Sequence, residues 1–230
     1  MSTVQKLSLA LVGTAVVFMS ANPANAITAK IGGTPSATNG IFSSVPGVTT
    51  VNFETGAPNS GFAKYSTASG TPTVVSGTSN GQYAAPLGDE HNYLTVSPTT
   101  SNVPGNTGPV TIDFEQALDY FGLYWGSVDN YNLIAFYNGS KLLQSFDGSQ
   151  LPSGGNSSQT NPQDNIFVNF FADSGQTFNK IVLSSDGVAF ESDNHSYRLA
   201  SVPEPTTTLG LLAFGVMSAG SFVKRKLKLV

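Results

Sequence analysis

Carboxylates recur in this 230-residue chain where oxygen-ligand chemistry would need them. Glu54 closes the run Val51-Asn52-Phe53-Glu54, Asp89 and Glu90 follow a glycine, and Glu191 and Asp193 lie two residues apart. Carboxylate and carbonyl oxygens suit Ca²⁺. If an early and a late strand meet at one sheet edge, Glu54 and Asp193, with Asp89 or Glu191 nearby, would form a structural Ca²⁺ site. Solvated and turn-capping carboxylates explain the same residues, because their spacing fits neither an EF-hand nor a repeated Ca²⁺ motif. A second constellation is Trp125 with Asp129 and Asn130. An aromatic face stacks on the apolar face of a sugar while Asp and Asn bond its hydroxyls, so these three are candidate glycan contacts. A core tryptophan followed by a polar turn accounts for them equally.

Nucleophilic chemistry has weaker support. Gly77-Thr78-Ser79-Asn80-Gly81 matches the G-x-S-x-G pattern of serine hydrolases, but it lies in a Ser/Gly-rich loop with no helix to follow, and the elbow needs one. His91 and His195 are the only histidines, and neither has a local triad motif. With no cysteine, disulfides, thiolate metal sites and a cysteine nucleophile are excluded. The expectation is a chain without catalytic residues.

The elements that must position these groups read as strands. Only 10% of residues are charged and 40% are hydrophobic, with 24 Gly, 13 Pro, 15 Phe and 8 Tyr. Short β-rich runs recur between Gly, Pro, Asn and Ser clusters, and no amphipathic helix interrupts them. Strands are predicted over 49–53, 81–84, 93–96, 110–114, 120–125, 133–137, 141–146, 166–171, 180–184 and 187–190. Many strands without helices predict an all-β, two-sheet sandwich over residues 27–200, with long loops at 71–80 and 150–163. Asn138-Gly139 between two such runs predicts a hairpin with a type I′ turn. Trp125, the only tryptophan, is then expected to bury its ring against the opposite sheet. Within 27–200 five basic residues face thirteen acidic ones, a net charge of −8. Nucleic acid is therefore not expected as a partner, since phosphate binding needs clustered Lys and Arg.

Both ends read as addresses. Residues 1–26 place Lys6 before an apolar stretch from Leu7 to Met19, with small residues Ala24 and Ala26 at the close. This is the plan of a secretory signal peptide cleaved after Ala26, and it implies export and signal peptidase as partners. Residues 201–230 place Val202-Pro203-Glu204-Pro205 before the apolar run Leu209–Val223 and then Lys224-Arg225-Lys226. The run is short for a membrane span, and its basic end would stay on the cytoplasmic side. A helix that holds the chain at the membrane only until processing fits this order of elements.

That tail resembles the PEP-CTERM sorting signal of bacterial surface proteins. The resemblance implies that an exosortase recognises Pro203, Glu204 and Pro205 using its own catalytic cysteine, so this chain is substrate. The domain also resembles exosortase-dependent surface proteins, through QYAAPLGDE at 82–90, YFGLYWGSVDNYN at 120–132 and FESDN at 190–194. The implied product is a secreted, jelly-roll-like module at the cell surface or in extracellular matrix, with a structural or adhesive role. A lectin-like module binding extracellular polysaccharide and a secreted hydrolase are the alternatives.

Overall fold

In a computed structural model, residues 26–99, 106–151 and 157–201 are described. They form fourteen strands: β1 (Ile27–Ile31), β2 (Thr34–Pro35), β3 (Ile41–Phe42), β4 (Thr49–Val51), β5 (Ala63–Ser66), β6 (Val74–Ser76), β7 (Asn92–Ser97), β8 (Asn106–Thr107), β9 (Val110–Gly126), β10 (Asn132–Asn138), β11 (Lys141–Asp147), β12 (Ile166–Ala172), β13 (Phe178–Ser185) and β14 (Phe190–Leu199). The one helical element among the described residues is a 3₁₀ turn at Gly148–Gln150, capped by Asp147. The all-β expectation holds. The expected signal peptide, residues 1–26, lies outside the described residues except for Ala26, and the sorting tail lies outside them from Val202 on.

The two layers are joined through β9. Its first residues, Val110–Asp113, pair with β13 and β5, while Leu118–Gly126 pair with β12 and β14. The register with β13 jumps between Asp113 and Leu118, where the strand passes from one layer to the other. Strands β11, β10 and β13 extend the first layer, and β1, β4, β6 and β7 extend the second. Burial along β9 follows this path. It alternates over Val110–Phe114, as for a sheet with one wet face, and is continuous from Tyr120 to Gly126, where loops cover the outer face.

Aromatic rings fill the space between the layers. Phe136 of β10 lies 4.9 Å from Phe170 of β12 and 5.0 Å from Phe178 of β13. Trp125 stacks on Phe190 at 4.4 Å and is fully buried. The core reading of Trp125 is therefore correct, and its role as a glycan platform is not, because no face of the ring reaches solvent.

Several local expectations change. Residues 110–114 and 120–125 belong to one strand, residues 81–84 form a loop, and 187–189 precede β14 instead of opening it. The β10–β11 hairpin exists, but Asn138 pairs with Lys141, so its turn residues are Gly139 and Ser140. Only Gly139 takes positive φ, at the first central position, as a type II′ turn requires and a type I′ turn does not.

Candidate functional site

The centre of interest is β14, whose residues Glu191 to Ser196 are all polar and all buried. Alternation sends Phe190 and Ser192 toward the aromatic core and Glu191 and Asp193 to the outer face. Between Asp193 and Ser196 the register with β9 slips by one residue, and Asn194 takes φ 52. This is a β-bulge, and it re-aims the side chains that follow. Asn194 donates to the Asn39 and Ile41 carbonyls at 2.7 and 3.2 Å, tying the 39–41 segment over the strand.

The outer face is closed by a strap, residues 84–91. Pro86 lies against Gly126, where an added Cβ would come within 3.0 Å of the ring. Leu87 accepts from the Tyr124 hydroxyl at 2.5 Å and donates to Asn165 Oδ1 at 3.1 Å. Gly88 accepts from the Gly40 amide at 3.1 Å, and Asp89 forms a β-bridge with Asn39. The strap thus joins 82–90, 120–132 and 190–194, the three segments singled out in the sequence.

Two carboxyl sites lie beneath it. Asp89 and Asp193 are buried neighbours whose carboxyls act on one another electrostatically. Burial raises both pKa values, and each carboxyl raises or restrains the other; Asp193 reaches about 9. Asp89 Oδ2 and Asp193 Oδ1 are buried and accept no hydrogen bond. A proton shared by the two carboxyls would lower the cost of burying them, since two adjacent carboxylates cannot both ionise cheaply. Asp89 Oδ1 accepts the His91 amide at 3.0 Å. Farther out, Glu54 Oε1 lies 2.8 Å from His91 Nδ1 at the surface.

Glu191 lies two residues along the strand, roughly 7 Å away by strand geometry. Its Oε1 accepts the Ala84 amide at 2.9 Å, and its Oε2 makes no hydrogen bond. Burial is the main cause that lifts its pKa to about 8; nearby Asp129 adds to the rise, while Ser127 eases the charge without closing a bond on Oε2.

The proposed Ca²⁺ ligands are therefore divided. Asp89 and Asp193 meet, Glu54 pairs with His91, and Glu191 turns to Ala84. Among the described residues no three His, Asp or Glu side chains converge to hold a metal ion. The glycan trio is divided too: Trp125 is in the core, Asp129 is 3% exposed beside Ser157 and Tyr131, and only Asn130 is at the surface.

His195 was left without a role by its sequence context. Its Nε2 lies 3.0 Å from Ser192 Oγ and its Nδ1 3.1 Å from the Tyr65 hydroxyl. All three residues are at most 1% exposed, and burial lowers the histidine pKa to about 3. This Ser–His contact is a neutral polar rivet among Phe53, Tyr65 and Phe121, closed to substrate. The G-x-S-x-G segment is a loop in which Ser79 Oγ donates to Gln82 Oε1 at 2.7 Å, with no helix after it.

The chain leaves this fold directly into its tail. β14 ends at Leu199, and the Ala200 amide is still bonded to the Ala117 carbonyl at 3.0 Å. Residues 201–226 match the family model described as the PEP-CTERM protein-sorting motif. No curated protein and no solved structure matches the chain. Among the described residues no helix is long and apolar enough to cross a membrane. The apolar run Leu209–Val223 and the basic Lys224, Arg225 and Lys226 lie outside them.

Proposed function

We propose, from the PEP-CTERM protein-sorting motif carried at residues 201–226, that this is an exported protein delivered to the cell surface by an exosortase. The match carries the reading, and the position of the motif supports it. The last strand ends at Leu199, three residues before Val202-Pro203-Glu204-Pro205. A folded domain thus stands immediately outside the sequence that a membrane enzyme would recognise. Residues 1–26 would open the export route and be removed after Ala26, and the apolar run would hold the chain in the membrane until cleavage.

In this reading the domain acts by its presence at the surface or in extracellular matrix, in a structural or adhesive role without catalysis. The enclosed Ser192–His195 contact supports that. To the buried pair Asp89 and Asp193 we assign a shared proton in place of Ca²⁺, on their raised pKa values. Calorimetric Ca²⁺ binding accompanied by a rise in melting temperature would overturn that assignment.

Fractionating host cells that express the chain with and without Glu204→Ala tests the sorting claim. The native chain is expected at the surface or in the medium, and the variant in the membrane fraction. An identical distribution of the two would contradict it.

A further inference from the structure

A cleft of about 200 Å³ opens beside the strap, walled by Thr78, Asn80, Gln82, Tyr83 and Gln159, with Glu191 at its base. Glu191 is only 2% exposed and closes the floor of this space, its carboxyl held by the Ala84 amide, while the polar side chains of the walls stand open to it. We propose that this cleft binds one ring of a neutral polysaccharide.

Its chemistry narrows the ligand. Among the described residues no Lys, Arg or His lines the cleft, so a phosphate, sulfate or uronate would find no countercharge there. Glu191 is the only carboxyl among those lining residues, which leaves a divalent cation short of hard anionic ligands. The remaining walls present hydroxyls and carboxamides, which both donate and accept, as sugar hydroxyls require. Val188, 41% exposed, and the Tyr83 ring supply an apolar side for the sugar's C–H face. The volume lies below the roughly 300–1,000 Å³ of drug-sized pockets, which suits a single ring held at a chain's edge.

The walls are set before any ligand arrives. Ser79 and Tyr83 exchange backbone hydrogen bonds at 3.0 and 3.1 Å, and the Tyr93 hydroxyl donates to the Gly77 carbonyl at 2.5 Å. Asn80 and Gln159 are exposed, so replacing them removes ligand contacts and leaves the core intact. The cleft belongs to the folded domain, and its binding is independent of how the tail is processed.

The protein purified from its host is probed with an array of neutral gluco-, galacto- and manno-oligosaccharides, with uronic-acid oligosaccharides as charged controls. Calorimetry follows on any neutral binder. Binding of a neutral oligosaccharide is expected, weakened about tenfold or more by Asn80→Ala or Gln159→Ala at unchanged melting temperature. Glu191→Gln, checked for folding by circular dichroism, is expected to weaken it as well. Absence of neutral binding, a preference for the uronic-acid controls, or affinity unchanged in both exposed-wall variants would overturn the proposal.

Discussion

Asp193 and Glu191 keep their protons to about pH 9 and 8, several units above the range in which an exposed carboxyl releases them. The native state therefore binds more protons than the unfolded chain between pH 4 and these values, and stability falls as pH rises through that window. Asp89 and Asp129 are shifted in the same direction. His195 opposes them. Its native pKa of about 3 lies below the unfolded value near 6.5, so its contribution is complete above about pH 6.5 and declines toward acid. The raised carboxyls outnumber it, each contributing at most about 1.4 kcal/mol per pH unit. The melting temperature is thus expected to fall from pH 5 to pH 9. Asp193→Asn, whose amide can donate to Asp89 without ionising, is expected to flatten that slope. A wild-type melting temperature that is level or rising over this range would contradict the shared-proton account.

At the scale of elements, β14 and the strap depend on each other. Gly40 holds the strap by its bond to Gly88, takes φ 62, and faces the Tyr124 ring, with an added Cβ only 2.3 Å from it. Gly40→Ala would strain the backbone and push aside the ring that anchors Leu87. A loss of about 1–3 kcal/mol in denaturant unfolding is expected; an unchanged midpoint would show that the strap does not depend on this contact. The strands rich in Val, Ile, Leu and Phe were legible in the sequence, because apolar runs between turn residues have few other uses. β14 was not. Glu191-Ser192-Asp193-Asn194-His195-Ser196 reads as a loop, since polar residues are buried only where partners from distant segments satisfy them. Those partners come from three places in the chain: Asn39, Tyr65, and the strap with Ala84 and Asp89. The sequence drew Glu54, Asp89, Glu191 and Asp193 into one group, and the way they divide depends on the strap's path and on the Asn194 bulge. Trp125 misled as a glycan contact because the polar turn after it hides the continuous burial of Tyr120–Gly126.

For the whole molecule, a neutral, aromatic-rich core carries a surface that is strongly acidic for its few charges, and the sorting motif follows the last strand without a long linker. Five residues from Leu199 to Glu204 reach at most about 18 Å. If the tail is processed at the membrane as proposed, the domain sits close to the membrane at that moment. The most direct measurement is the mass of the mature protein's C-terminal peptide, isolated from the native host. Processing at the sorting motif predicts a terminus near Pro203-Glu204-Pro205, with no peptide from residues 209–230. A mature chain still ending at Val230 would contradict the account.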